Sequence, residues 1–581
     1  MVSLPTQRVS PGRLSAAYRQ EVERLVAARA IGKMWSRQAT LWKSDADHLR
    51  VISNRLGWIG VLETMHSEAA ALADFSGEIR RADLRDIVLL GMGGSSLAPE
   101  VFSLTFPAPA DGRRFFVLDS TDPASILGVE RAIDLRQTVF IVASKSGKTI
   151  ETLSQFFYFH HRLNAAGIRP PGQNFIAITD PGSYLEQLAG EYSFRRTFLN
   201  PADIGGRYSA LSYFGLVPAA LWGADLAAVL DAATEMRAAC GPAAPIASNP
   251  ALELGALLGA GALNGVDKLF LLATPSLVPL GNWIEQLVAE STGKEGKGVV
   301  PVAGGVTPTP EVLGEGCIVA ALRLEGEVDA ALDALVESVK SRGVPVAEIR
   351  LGGPAELGGE FFKWEAATAV AGAVLGIDPF DEPNVQESKD NTARILERFQ
   401  SSAQMPAGTP RLAEAGIELY AEGVSRRTIS TLRLSEALRT FVAQRQPGDY
   451  LALLAFVDRH GAHAARLQAL RARLGERLGV PVLLGYGPRY LHSIGQLYKG
   501  GPPTGMFLVI TATPGEDQAI PGAKYTFAQL QMAQALGDLE SLVSRDKPAL
   551  RLHLSRGAEA GLGELQKAFE HALTASRPAS S

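Results

Sequence analysis

Near residue 80 the chain begins to repeat one unit, and that repeat limits the fold more than any other feature. DIVLLGMGGSS, RRFFVLDSTDP, TVFIVASKSGK and NFIAITDPGS each hold a run of about five apolar, β-favouring residues that stops at Gly, Ser, Asp or Pro. Helix-patterned sequence lies between the runs. Continuous apolar strands alternating with helices describe a parallel sheet covered on both faces. Ligands of such sheets bind beyond the carboxyl ends of the strands, where these small and polar residues gather. After a helical stretch over about 210–262, a second series follows: KLFLLATP, CIVAALRL, VPVAEIRL, YLALLAFV, VPVLLGYG and MFLVITAT.

The sequence therefore predicts an α/β protein of two doubly wound domains with mostly parallel sheets. A helical segment over 1–50 carries Trp35 and Trp42, and a first domain over 51–240 carries the Ser- and Gly-rich loops. A second domain over 241–570 follows AACGPAAPIASNP, and 571–581 form a disordered tail. A chain of 581 residues has ample length for this.

Composition excludes several classes. Apolar residues make up 46%, charged residues 20%, and the net charge is −5, so no overall basic field points to nucleic acid or an acidic membrane. Arg466, Arg471, Arg473 and Arg477 are spaced as the wet face of an amphipathic helix. Cys240 and Cys317 are the two cysteines, too few for a disulfide framework or a thiolate metal site. The start lacks the pattern of a secretory signal, and no run reaches the roughly 20 apolar residues that cross a bilayer. The expected compartment is the cytoplasm.

Within TVFIVASKSGKTIETL the tetrapeptide SGKT imitates a nucleotide-binding loop. That loop requires glycine five residues before Gly147, and Val142 stands there instead. A β-branched residue inside a strand cannot wrap a phosphate. STGKEGKG has the same defect, with Val288 at the required glycine. What remains in the first loop is a strand, then Ser144, Lys145, Ser146, Gly147 and Thr149, then a helix. One hydroxyl suffices to cap a helix; several hydroxyls with free N–H groups suit a phosphate dianion. GMGGSS repeats the arrangement one strand earlier with Gly94 and Ser95. Two such loops on neighbouring strands point to one phosphomonoester held between them.

GMGGSS, SKSGKTIET, GGRYS, EQLVAESTGK, FDEPNVQESK and YLHSIGQLYKGG together resemble the phosphoglucose isomerase family, built from sugar-isomerase (SIS) domains. The resemblance spans residues 91–500. It implies interconversion of glucose 6-phosphate and fructose 6-phosphate, in glycolysis and gluconeogenesis, with no metal or organic cofactor. It also implies a homodimer with a shared active site, the histidine arriving from the neighbouring subunit. By the same resemblance Glu290 is the proton-shuttling base, Arg207 steadies the enediolate, His492 opens the ring with Lys389 beside it, and Gln286 contacts substrate. These types suit the chemistry: a buried carboxylate can titrate near neutrality, a guanidinium keeps its charge, and an imidazole passes protons.

Two departures stand out. The order Glu290, Lys389, His492 matches a branch often fused to transaldolase, and the first motif, near residue 87, leaves no room for one upstream. Glu382 occupies a position where the family generally has glutamine, and a carboxylate there repels phosphate unless it turns away or pairs with Lys389. Alternatives are a dual phosphoglucose/phosphomannose isomerase and a non-catalytic SIS regulator. Retention of Arg207, Glu290, Lys389 and His492 together argues against the regulator. His460 and His463 are spaced for one metal, but no third ligand is evident.

Overall fold

The computed structural model describes residues 5–574 save 306, 403, 431 and 432. Among them the strands form three sheets, where two were expected. In the first, Arg114–Leu118, Asp86–Gly91, Thr138–Ala143, Phe175–Thr179 and Arg196–Leu199 lie in that order, all parallel. The strand order reverses between Asp86–Gly91 and Thr138–Ala143, the crevice where such sheets bind ligands. Gly91 faces Ala143 across that pair, so the GMGGSS and SKSGKT loops leave the sheet side by side. Both strands are buried throughout, which is why they read as unbroken apolar runs.

The six strands expected of the second half divide. Lys268–Ala273, Cys317–Leu324 and Val346–Leu351 form a sheet with Val300–Val302 and with Thr6–Ser10, which pairs antiparallel with Val346–Leu351. The N-terminal segment thus contributes an edge strand as well as helices. Tyr450–Phe456, Val482–Tyr486 and Gly505–Ala512 join Ala549–Leu554 in a separate parallel set, extended by antiparallel Ile417–Ala421 and Leu412–Glu414. The final helix, Ala558–Thr574, occupies the start of the segment expected to be a tail; residues 575–581 lie outside the described residues.

At the centre lies the helix Leu357–Leu375, buried along its whole length. It packs on Pro250–Leu263 through Gly255 and Gly259. A Cβ at Gly255 would lie 2.6 Å from Val370 Cβ, so these glycines set the helix separation. Among the described residues no helix is long and apolar enough to cross a membrane. The helix Gly461–Leu478 departs from its expected wet face: Arg471 is buried, its Nε donating to the carbonyl of Val482 at 2.8 Å.

A buried charge cluster docks the third sheet on the first. Arg459 reaches Glu100 at 2.7 Å and Asp119 at 3.3 Å, and Arg489 bonds the same two carboxylates. Burial works to raise the Glu100 carboxyl, but the two guanidiniums overcome it and hold it down at about 2. Arg489 opens the short turn Arg489–His492, so this cluster fixes the turn that carries the histidine.

Candidate active site

Gln286 and Glu290 stand one turn apart on the helix Val278–Thr292, so both project from the same face, and both are buried. The Gln286 amide donates to Glu290 Oε2 at 3.2 Å and to the His492 carbonyl at 2.8 Å. Arg207 sits in the one-turn helix Gly206–Tyr208 and is 3% exposed. Its Nη1 lies 3.6 Å from Glu290 Oε2 and 3.0 Å from Glu382 Oε2. Nε donates to Ser291 at 2.8 Å, and Nη2 to the carbonyls of Pro379 and Asp381, both at 2.8 Å. Every nitrogen is held, so the guanidinium cannot swing away.

Two glycines bring these pieces together. A Cβ on Gly94 would lie 2.1 Å from the carbonyl of Gly206, directly under Arg207. Gly93, at φ +54°, would place one 2.3 Å from the carbonyl of His492. The GMGGSS loop therefore receives the arginine turn and the histidine turn at adjacent residues, and side chains there would push both away.

Burial sets the acid–base properties. Desolvation raises the Glu290 carboxyl to about 7; Arg207 opposes the rise, and the Glu382 carboxylate adds to it. Burial works to lower the Arg207 guanidinium, but the carboxylates of Glu290 and Glu382 overcome it and raise it, so it stays charged. The His492 ring is oriented by a residue absent from the expected set: its Nε2 lies 2.8 Å from Glu151 Oε1, which also accepts from Gln534 at 2.7 Å. Burial works against ionisation of Glu151, but His492 and then Lys389 overcome it and lower the carboxyl. Glu151 stands in the first turn of Ile150–Ala165, the helix that follows the SKSGKT loop. Lys294 was likewise within a recognised motif; it is buried, donating to the carbonyls of Asp378 and Asp381 at 2.7 and 2.6 Å. Gln534 carries no sequence signal.

Other expected residues fall as follows. Ser144 Oγ and Thr149 Oγ1 are 2.9 Å apart, and the Gly147 N–H donates to Ser144 at 3.1 Å. Thr149 precedes the helix Ile150–Ala165 without a side-chain cap, so the first N–H groups of that helix stay open to an anion. Ser95 is half-buried beside Gly94, and Ser146 is exposed, accepting from the Lys148 N–H at 3.3 Å. Lys145 is turned to Asp180, with which it pairs, and to the carbonyl of Ala202 at 2.9 Å. Lys389 is exposed on the helix Val385–Ser402, near the site only by its field on Glu151.

His492 stands against Gln286, Gly93 and Glu151 of its own chain. One expectation needs correction. Glu382 neither turns away nor pairs with Lys389: its Oε2 accepts from Arg207 Nη1 at 3.0 Å. Among the described residues no group of three or more His, Cys, Asp or Glu is placed to hold a metal.

Serine- and glycine-rich loops at the switch point of a parallel sheet, with a buried carboxylate–guanidinium pair beside them, define an α/β isomerase of the SIS kind. The comparisons with known proteins carry this further. The family model described as phosphoglucose isomerase matches residues 37–302, a span that includes both loops, Arg207, Gln286 and Glu290 and ends before Lys389 and His492. A glucose-6-phosphate isomerase of Gloeothece citriformis is 30% identical over 387 residues, covering 59% of this chain and 70% of the relative. One of Rubrobacter xylanophilus is 29% identical over 56% of this chain and 85% of its own length. Among solved structures, a glucose-6-phosphate isomerase from Chlamydia trachomatis aligns with a TM-score of 0.54 at 20% identity, over 69% of this chain and 89% of that one. A Thermus thermophilus protein described as hypothetical aligns at 0.57 with 23% identity, over 68% of this chain and all of that one. The chain belongs to the phosphoglucose isomerase family.

Proposed function

We propose that the chain interconverts glucose 6-phosphate and fructose 6-phosphate through a cis-enediolate. The phosphate lies between the SKSGKT and GMGGSS loops, on the open N–H groups ahead of the helix Ile150–Ala165. His492, oriented by Glu151, passes the proton that opens the sugar ring. Lys389 adds positive charge near the ring oxygen. Glu290 then takes the C2 proton of the aldose and returns it to C1, while a hydroxyl proton moves between O2 and O1. Arg207 holds the oxygen on which negative charge develops.

The observation that carries this reading is Glu290. A carboxylate raised to about 7 is both ionised enough to take a proton and acidic enough to return it. The family resemblance supports a homodimer and a place in glycolysis and gluconeogenesis, in the cytoplasm. The test is direct. Purified protein given fructose 6-phosphate should form glucose 6-phosphate, measured by coupled oxidation, and Glu290→Gln should not. No turnover by the wild type overturns the reading. A parallel assay with mannose 6-phosphate separates the single from the dual isomerase.

A further inference from the structure

Behind the phosphate loop lies a second cleft, of about 900 Å³, that the isomerisation does not use. One wall is the outer face of the helix Ile150–Ala165, with Lys148 just ahead of it and His160 and His161 near its end. The opposite wall is the 520–525 loop, with Lys524 and Tyr525, and Gln400 closes one side. Tyr192 stands against His160, ring centroids 4.8 Å apart and nearly perpendicular, which gives the cleft an aromatic floor.

Its charge is one-sided. Two lysines and two histidines line the cleft, and no aspartate or glutamate among the described residues does. Lys148, His161 and Lys524 are exposed, and none is held in an ion pair among the described residues. A roomy cleft with unopposed cations above aromatic rings takes a ligand that is both anionic and planar. Nucleoside phosphates are one class of small molecule with both properties.

We infer that this cleft binds a nucleoside phosphate, its phosphates on Lys148, Lys524 and His161 and its base against Tyr192 and Tyr525. Such a ligand would bear on the active site without entering it. The helix Ile150–Ala165 carries Glu151 at its inner end; the helix Val385–Ser402, which supplies Gln400, carries Lys389. The 520–525 loop leads into Phe527–Val543, which carries Gln534, a hydrogen-bond partner of Glu151. All three walls therefore end on members of the isomerase site. The binding itself does not depend on the isomerase reading.

The test is calorimetric titration of the full-length protein with ATP in the absence of magnesium, repeated with saturating fructose 6-phosphate. Saturable binding is expected to persist in the presence of the sugar phosphate, and to weaken at least about tenfold in a Lys524→Glu, His161→Glu double variant. Both positions are exposed, so the variant should melt as the wild type does. Absence of saturable binding overturns the inference. So does competition by fructose 6-phosphate, which would place the nucleotide in the active site, or unchanged affinity in the double variant.

Discussion

The carboxylate of Glu382 lies 3.0 Å from Nη1 of Arg207, the same guanidinium nitrogen that Glu290 approaches at 3.6 Å. Two carboxylates therefore share one arginine. Glu382 is 44% exposed at its side chain while Glu290 is buried, so water screens the outer partner and not the inner one.

Replacing the outer carboxylate separates their effects. Glu382 adds to the rise of the Glu290 carboxyl, so Glu382→Gln should lower it. The acid limb of the kcat/KM profile, set by protonation of Glu290, should then move down by roughly half a pH unit. Arg207 is also freed for substrate, and KM should fall about two- to fivefold. A full pH–rate profile of both proteins measures both effects.

The phosphate loop should act in binding alone. Ser144→Ala and Thr149→Ala each remove a hydroxyl from the pair that faces the open helix N-terminus. KM for fructose 6-phosphate should rise about tenfold in each, with kcat within about twofold. Steady-state kinetics decide it.

Glu151 should matter for ring opening and not for proton transfer between carbons. Glu151→Gln keeps the shape but loses the charge that holds His492. Conversion of one ring anomer into the other, followed by NMR, should slow by about ten- to a hundredfold. His492→Asn should slow it at least as much.

Arg489 tests whether the docking of the third sheet holds the histidine. Arg489→Ala leaves Glu100 and Asp119 buried with one guanidinium between them. The expected loss of stability is about 3–5 kcal/mol, with kcat falling as the Arg489–His492 turn loosens. The wild-type contribution has a definite pH window: Glu100 is depressed from 4.5 to about 2, so its stabilisation is present above 4.5 and fades as pH falls toward 2. The gap in melting temperature between variant and wild type should narrow over that range.

How much of this was legible in the sequence depended on what each residue's neighbours were. Asp86–Gly91, Thr138–Ala143 and Phe175–Thr179 announced themselves because they are buried throughout. Ala549–Leu554 did not, because Arg551 interrupts it; in the fold that arginine is buried over the Tyr420 ring, 3.6 Å from its centroid. The split of the later strands into two sheets is a matter of pairing over long separations, which no local pattern records. At the candidate site, Arg207, Gln286 and Glu290 stand in the recognised motifs, and the structure brings them together. Glu151 was not singled out, since its role arises only when His492, 341 residues away, folds against it. The position of Glu382 was noticed, but its partner is settled by where the 379–382 loop runs past Arg207.

The most direct test of the central claim is isomerisation in D2O. Fructose 6-phosphate treated with the wild-type protein should yield glucose 6-phosphate carrying deuterium at C2, since the shuttled proton exchanges while Glu290 holds it. Glu290→Gln should neither form the aldose nor exchange the C1 protons, with rates reduced at least about a thousandfold. Exchange and turnover in Glu290→Gln at rates near the wild type would contradict the assignment of Glu290 as the base.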